Sequence, residues 1–305
     1  MKILYLSDGA GVDYMCDTLF HGLRSLFGPD VVDANRLWYL YNSITPEQKA
    51  KLYGKGFTIA GLIEEGEVDR EDLLKKIQFR FYDLVIYGSV QRNADLLYDV
   101  IAHYPRERVL FVDGEDQPLY LRELPKHGLY FKRELHSPQD GVYPIQFGIP
   151  EEKCIGASRK SQMTSFIDPM NPATYIYDDE RKYYDDYRKS LFARTMKKAG
   201  WDCMRHYEIL ACESIPYFEN IEHCPLTIMV NMPKADLIMA KTLIEYHTKG
   251  GGIDIFSMEA GKELWSDLNC RMQKVLREKL TTKALAQQVV DTAMALMPKK
   301  EFAYA

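Results

Sequence analysis

Residues 2–11 read KILYLSDGAG and place a short apolar strand directly before a glycine-rich turn. Apolar residues between Val12 and Leu26 then recur at intervals of three or four, which predicts a helix with one buried face. Gly28-Pro29 ends this helix, because proline cannot continue the pattern. Strand, turn and helix in this order predict one α/β unit with a parallel strand.

The same pattern recurs along the chain. Further apolar strands are predicted at residues 83–87, 108–112, 128–132, 142–147, 164–167, 214–218 and 227–230. Near-continuous apolar strands that alternate with helices indicate a parallel sheet covered on both faces. Gly148-Ile149-Pro150 reads as a domain boundary. The predicted fold class is therefore α/β, with two Rossmann-like domains that face a cleft.

Three segments follow from this boundary. Residues 1–150 form the first domain, residues 151–270 the second, and residues 271–305 a C-terminal helix that packs back on the first domain. Residues 36–66 are less regular and are predicted to form a lid or an acceptor loop. Gly250 to Gly252 are predicted to form a flexible turn.

The composition excludes some classes of function and location. With a net charge of −5, the chain has no basic excess to bind a polyanion over a broad surface. No apolar run reaches the ~20 residues of a membrane-spanning helix, and the N-terminal run is too short for a signal peptide. The six cysteines are dispersed without a CxxC pair. We therefore expect a cytoplasmic protein with free thiols and no integral membrane segment.

Residues 197–218, KKAGWDCMRHYEILACESIPYF, are the strongest candidate for a ligand site. Gly200 is predicted to end a helix, and Asp202 to cap the next one. Arg205 and Glu208 lie three residues apart and share a helix face. The free N–H groups at the helix start favour a diphosphate, and Glu208 is placed to accept hydrogen bonds from a ribose diol. The alternative is an ordinary Arg–Glu pair on the surface of a helix.

This segment, together with His223-Cys224-Pro225 and Met232-Pro233-Lys234, resembles the donor-binding half of GT-B glycosyltransferases, in particular the CgeB-like group. Residues 112–116 (VDGED) and 130–134 (YFKRE) resemble acceptor-domain elements of the same group. The resemblance implies that Arg205 contacts the diphosphate of a nucleotide sugar, such as a UDP-sugar, and that Glu208 contacts its ribose. The donor-binding residues are then Lys197, Lys198, Trp201, Asp202, Arg205, His206, Glu208 and Lys234.

The resemblance also implies the reaction, the transfer of a sugar to an acceptor hydroxyl on a glycan, a protein or a modified DNA base. No cofactor is expected, since the donor is a substrate. Retaining members often carry a second glutamate at a position where this chain has Pro216, so an inverting reaction is predicted. The alternatives are a sugar-nucleotide epimerase or hydrolase on the same fold, or a non-catalytic binding protein.

An inverting transfer needs a general base near the acceptor hydroxyl. Asp113 ends a predicted parallel strand, and two further acids follow it, whose mutual repulsion raises the pKa of one of them. Asp113 is therefore the first candidate, Asp116 the second, and Asp13 and Asp8 in the glycine-rich loop rank third. The acceptor side is predicted to comprise Asp8, Gly9, Gly11, Glu115, Lys132 and Arg133. The alternative is an acidic turn that pairs with Lys132 and Arg133.

A metal site is not expected. Cys203, His206, His223 and Cys224 are residue types that bind zinc, but their spacing contains no CxxC pair. The transfer is therefore predicted to be independent of metal, with cationic side chains stabilising the leaving group.

Overall fold

The structure is a computed structural model that describes residues 1–156, 158–249, 254 and 256–297. In this part of the chain, two parallel sheets with flanking helices follow one another. The first unit contains the sheet between residues 3 and 144, and the second contains the sheet between residues 162 and 218. A cavity lies between the two units. The predicted fold class, two α/β units facing a cleft, is confirmed. The turn predicted at Gly250 to Gly252 lies outside the described residues.

The first sheet has six parallel strands in the order β2-β1-β3-β4-β5-β6. Its strands are β1 (Ile3–Leu6), β2 (Val31–Asp33), β3 (Leu84–Tyr87), β4 (Val109–Asp113), β5 (Leu129–Lys132) and β6 (Val142–Pro144). The strand order reverses between β1 and β3. In open α/β sheets, ligands bind at such a reversal, beyond the carboxyl ends of the strands.

Four helices accompany this sheet, namely α1 (Tyr14–Phe27), α2 (Pro46–Ala50), α3 (Leu73–Gln78) and α4 (Leu97–His103). Asp13 begins α1, because its carboxylate accepts hydrogen bonds from the backbone N–H groups of Met15 and Cys16. Apart from α2, the segment between β2 and α3 consists of short 3-10 helices, turns and irregular chain, and it reaches the cavity through residues 53–57.

The second sheet has three parallel strands, β7 (Gln162–Thr164), β8 (Ser190–Thr195) and β9 (Ile215–Phe218). Helix α5 (Glu180–Lys189) precedes β8, and α6 (Met204–Ala211) lies between β8 and β9. The strand predicted at residues 227–230 is wrong, since turns occupy this stretch. Gly200 follows a strand and ends no helix.

Three helices complete the chain, α7 (Lys234–Lys249), α8 (Glu259–Lys279) and α9 (Thr282–Leu296). The single helix predicted from residue 271 is thus two helices. Helix α8 ends at Lys279, and the Thr281 hydroxyl caps α9 by accepting a hydrogen bond from the N–H of Ala284. Helix α9 lies against α1 of the first unit, where His21 Nδ1 is 2.9 Å from Thr282 Oγ1.

One apolar core runs through both units. It includes Tyr5 and Ile86 of the first sheet, Leu285 of α9, and Tyr207 and Ile215 of the second unit. The two units are therefore joined by buried side chains around the cavity. None of the described helices combines the length and the hydrophobicity that a bilayer crossing requires.

Candidate functional site

A cavity of about 440 Å³ lies between the two units. The first unit contributes the start of α1 and residues 53–57, and the second contributes α6 and the stretch between β7 and α5. Six aromatic rings line it, those of Tyr14, Tyr53, Phe57, Tyr175, Tyr177 and Tyr183. Aromatic rings stack on bases and on the apolar faces of sugars, so these walls suit a ligand with planar or ring-shaped groups.

Helix α6 places Arg205 and Glu208 in the lining of this cavity, as their spacing predicts. On the opposite side of the helix, Tyr207 and Ala211 are buried in the core, whereas Met204 is buried and also lines the cavity. The Arg205 guanidinium donates from Nη2 to the Tyr175 hydroxyl at 3.1 Å and lies 5.3 Å from the centre of that ring. Sequence periodicity therefore suffices to direct these two side chains.

The described residues use only part of the hydrogen-bonding capacity of the Arg205 guanidinium. Its Nε and Nη1 atoms are buried and have no partner among the described residues. No carboxylate of the described chain lies within ion-pair distance of it either. A buried cation with free donors is costly unless an acceptor satisfies it. The arrangement suits an anionic group bound in the cavity.

Glu208 is only 5% exposed and contacts both units. Its Oε1 accepts a hydrogen bond from Thr58 of the first unit, and its Oε2 accepts one from the Tyr183 hydroxyl at 2.5 Å. Burial raises the pKa of the Glu208 carboxyl above its usual range, although both donors oppose this rise. Because two carboxylate oxygens offer about four acceptor positions, Glu208 has room for further donors from a ligand.

Of the two lysines that precede α6, Lys197 and Lys198, one lines the cavity. Lys198 lines the cavity and donates to the Tyr175 hydroxyl at 3.3 Å. Lys197 is exposed, with its ammonium 5.1 Å from the centre of the Trp201 ring, and does not line the cavity. Trp201 is buried against Phe218. Of this group, Lys198 alone is placed to meet a ligand in the cavity.

The prediction of His206 as a donor-binding residue conflicts with its position, since it does not line the cavity. The ring is 1% exposed and lies between Thr195 Oγ1 at 2.8 Å and the backbone carbonyl of Trp201 at 2.9 Å. Burial lowers the pKa of His206 to about 4, so the ring is neutral near pH 7. Lys234 is likewise occupied, since its ammonium donates to the carbonyls of Pro225 at 2.8 Å and Ile228.

Asp202 does not cap α6, which begins after Cys203 without a side-chain cap. Its buried carboxylate instead accepts from the N–H of Phe147 at 2.8 Å and the hydroxyl of Tyr207 at 2.9 Å. Burial raises the pKa of Asp202 to about 6, against the opposing effect of Arg133. Asp202 therefore connects the two units from inside the core and does not line the cavity.

The prediction of Asp113 as general base conflicts with the structure. Its side chain is fully buried and forms an ion pair with the equally buried Lys132 at 2.8 Å. Its carboxylate also accepts from Gln91 at 3.0 Å, Tyr130 at 2.6 Å and the N–H of Glu115 at 3.1 Å. Four donors leave no acceptor position for a substrate hydroxyl. The sequence alternative, an acidic turn that pairs with Lys132, describes this site better.

The neighbouring acids pair in the same way. Asp116 forms an ion pair with Arg133, and Glu115 forms one with Arg92 at 2.8 Å. Arg133 is 2% exposed and also donates to the backbone carbonyl of Asp202 at 2.7 Å. Lys132, Arg133, Glu115 and Asp116 therefore hold the first unit together and connect it to the second, and none of them lines the cavity.

The glycine-rich loop lies next to the cavity. Asp13 directly precedes Tyr14, which lines it, and the Asp13 carboxylate lies 3.3 Å from the guanidinium of Arg92. Burial raises the pKa of the Asp13 carboxyl. Asp8 and Gly11 line another cavity, of about 410 Å³, and Tyr53 lines both cavities. Gly9 adopts a φ of +63° and packs tightly against the Asn35 carbonyl.

Sequence reasoning missed Thr58 and Tyr175 as residues that contact Arg205 or Glu208. Each lies in an irregular stretch, far along the chain from α6. The signal for the first was the lid or acceptor loop predicted at residues 36–66, and the signal for the second is the close spacing of Tyr175 and Tyr177 in the sequence. Neither signal identifies a particular side chain. In the described chain, no three His, Cys, Asp or Glu side chains are placed to share a metal ion.

Comparisons with known proteins leave the family open. No protein-family model matches the chain, and no curated protein is similar to it. One similar solved structure is Anabaena Alr3699/HepE in complex with UDP and glucose, with a TM-score of 0.47 and 8% identity over 97% of this chain and 100% of that one. A second is an alpha-glucosyltransferase in complex with UDP and a 13-mer DNA containing a central A:G mismatch, with a TM-score of 0.43 and 14% identity over 96% of this chain and 100% of that one.

Proposed function

We propose that the chain is a glycosyltransferase that binds a nucleotide-diphosphate sugar in the cavity between its two units. The observation that carries the proposal is Arg205, a largely buried cation whose Nε and Nη1 have no partner among the described residues and whose side chain lines the cavity. A diphosphate supplies the acceptors that these atoms need, and Lys198 beside it supplies a second positive charge. The resemblance of residues 200–218 to the CgeB-like group belongs to this proposal and stays a prediction.

The remaining lining suits the other parts of such a donor. The aromatic walls offer stacking surfaces for a base and a sugar ring, and Glu208 offers acceptor positions for a ribose diol. When the bond from the sugar to the diphosphate breaks, negative charge develops on the leaving oxygen. Arg205 and Lys198 stabilise that charge without the need for a metal ion.

We propose that the transfer is inverting and that Asp13, in place of Asp113, is the general base that deprotonates the acceptor hydroxyl. Asp13 directly precedes Tyr14, which lines the cavity, and partial burial raises the pKa of its carboxyl, as suits a group that takes up a proton. The acceptor hydroxyl belongs to a glycan, a protein or a modified DNA base, and an acceptor panel separates these three.

The test measures the affinity for UDP and UDP-glucose by isothermal titration calorimetry. Because hydrogen bonds to a charged group contribute about 1.5–3 kcal/mol, Arg205→Ala is expected to weaken the binding of UDP by roughly 10- to 100-fold. Arg194→Ala is the matched control, since it removes the same charge from the same unit at an exposed ion pair outside the cavity. Equal affinities of Arg205→Ala and the wild type would contradict the proposal.

Product analysis with a radiolabelled nucleotide sugar separates the alternative activities. Labelled acceptor indicates transfer, labelled free sugar indicates hydrolysis, and an epimeric nucleotide sugar indicates an epimerase. Binding of the donor without any of these products, over the whole acceptor panel, indicates a non-catalytic binding protein.

A further inference from the structure

Thr58 combines an unfavourable backbone conformation with complete burial. Its φ is +76°, a left-handed value that is a real outlier for a residue branched at Cβ, and its side chain is fully buried. It belongs to residues 53–58 of the first unit, of which 53–55 and 57 line the cavity. Such strain of about 1–3 kcal/mol persists only where the surrounding contacts fix the residue.

In the described part of the chain, the hydrogen-bond partners of Thr58 come from the second unit. The backbone N–H of Thr58 donates to Glu180 Oε1 at 2.5 Å, and the Thr58 hydroxyl contacts Glu208 and the hydroxyl of Tyr184 at 2.9 Å. Glu180 is itself held by Lys153 at 2.7 Å and by Lys49 at 3.4 Å. Thr58 is thus fixed at the point where the two units meet around Glu208.

The direction of these hydrogen bonds follows from the number of protons. Thr58 has one hydroxyl hydrogen, and an ionised Glu208 can only accept, so this hydrogen points to Glu208 Oε1. Tyr184 must then donate to Thr58 Oγ1. Hydrogen bonds in such a chain strengthen one another, which fixes Oε1, while the Tyr183 hydroxyl fixes Oε2. The carboxylate is held in one orientation by donors from both units.

We propose that Thr58 is a positioning residue that orients Glu208, across the cleft, to bind the vicinal diol of the nucleoside ribose. This inference rests on the proposed function and names the part of the donor that the two units recognise jointly. A ribose diol is bound well only when the first unit places Thr58 against α6. The diphosphate meets Arg205 and Lys198 of the second unit, and its binding does not require Thr58.

The experiment compares three ligands, namely UDP, 2′,3′-dideoxy-UDP and inorganic pyrophosphate, by titration calorimetry of the full chain. Thr58→Val keeps the shape of the side chain and removes the hydroxyl. It is expected to weaken UDP binding about 10-fold and to change the affinities for the other two ligands less than about 2-fold. Thr58→Ser restores the hydroxyl and is expected to bind UDP within about 2-fold of the wild type.

Tyr184→Phe tests the inference without the Thr58→Val substitution, and a double variant tests whether Thr58 acts through Glu208. Tyr184→Phe removes only the donor to Thr58 and is expected to weaken UDP binding about 3-fold, again without an effect on pyrophosphate. In Glu208→Gln, a second change of Thr58→Val is expected to cost no additional UDP affinity, since Thr58 acts through Glu208.

Two results would overturn the inference alone, while Arg205→Ala still weakens UDP binding. One is an unchanged UDP affinity in Thr58→Val and Tyr184→Phe, and the other is an equal loss for all three ligands, which indicates a structural role. If the wild type binds neither UDP nor pyrophosphate, the proposed function fails, and this inference fails with it.

Discussion

At the scale of single residues, the buried carboxylates near the cavity divide into two groups. Asp113 and Asp202 are satisfied by donors of the protein itself, whereas Glu208 keeps acceptor positions that face the cavity. In the sequence, all three are candidate site residues, because each is an acidic residue in a suitable segment. What separates them is the number of donors around each carboxylate, which depends on the fold.

Asp202 makes the stability of the protein depend on pH in a defined direction. Burial raises its pKa to about 6 in the folded chain, above the ~3.9 of an unfolded chain. The folded state therefore binds this proton more tightly, so the stabilisation is present below about pH 4 and is lost as the pH rises through 6. Relative to Asp202→Asn, we expect the free energy of unfolding of the wild type to fall by roughly 3 kcal/mol at most between pH 4 and 7.

Urea denaturation of both proteins at pH 4, 5, 6 and 7 measures this difference, and contributions of other titrating groups cancel in it. The Asp202→Asn variant also loses an acceptor for Phe147 or Tyr207, but that loss is the same at every pH. A difference that stays constant from pH 4 to 7 would show that Asp202 titrates normally.

How far the site can be predicted from sequence also depends on the distance between its residues along the chain. Arg205 and Glu208 lie on one helix, so their spacing alone directs both towards the cavity. Thr58 meets Glu208 across 150 residues, and no local pattern encodes that contact. For Asp113, its place at the end of a strand was predicted, but its four donors come from elements that only the folded sheet brings together.

At the scale of elements, strands with strong apolar runs were predicted and the weaker ones were not. The six residues of β8, SLFART, contain a serine, an arginine and a threonine, and β2 has only three residues. Both form strands because parallel neighbours pair with them, which is a tertiary effect. The break between α8 and α9 was missed because the apolar period continues through Thr281.

The loop between β8 and α6 requires glycine at position 200. A methyl group there would lie 2.6 Å from Glu134 Oε1 and 2.9 Å from Asp116 Oδ1. Glu134 is buried and cannot yield freely, since its Oε1 accepts from the N–H of Asp202 at 3.0 Å. Gly200→Ala is therefore expected to lower the free energy of unfolding by about 1–3 kcal/mol.

Chemical denaturation of Gly200→Ala beside Gly66→Ala tests this expectation. Gly66 has no positive φ and no neighbouring atom within 4 Å of an added methyl group, so its substitution reports the effect of alanine without a clash. If both variants unfold at the same urea concentration, the loop adjusts to the methyl group, and the close approach at Gly200 is not needed.

At the scale of the whole molecule, α9 joins the last part of the described chain to the first unit. Its buried residues Leu285 and Val289 belong to the core cluster that also holds Leu19 and Leu23 of α1. Backbone bonds between Ile149 and residues 280–282 tie α9 to the end of the first unit. The position of α1, whose Tyr14 lines the cavity, is therefore supported by a helix that contributes no residue to the lining.

The contact between α9 and α1 needs a glycine in α1. A methyl group on Gly22 would overlap the backbone carbonyl of Thr282 and approach the side chain of Ala286. Because a backbone carbonyl cannot rotate away as a side chain does, α9 would have to shift along α1. Gly22→Ala is expected to lose about 2–3 kcal/mol of stability, even though alanine favours helices by up to ~1 kcal/mol over glycine. Thermal and urea unfolding against Gly66→Ala measures the loss, and a Gly22→Ala protein at least as stable as this control would show that α9 does not hold the units together through this crossing.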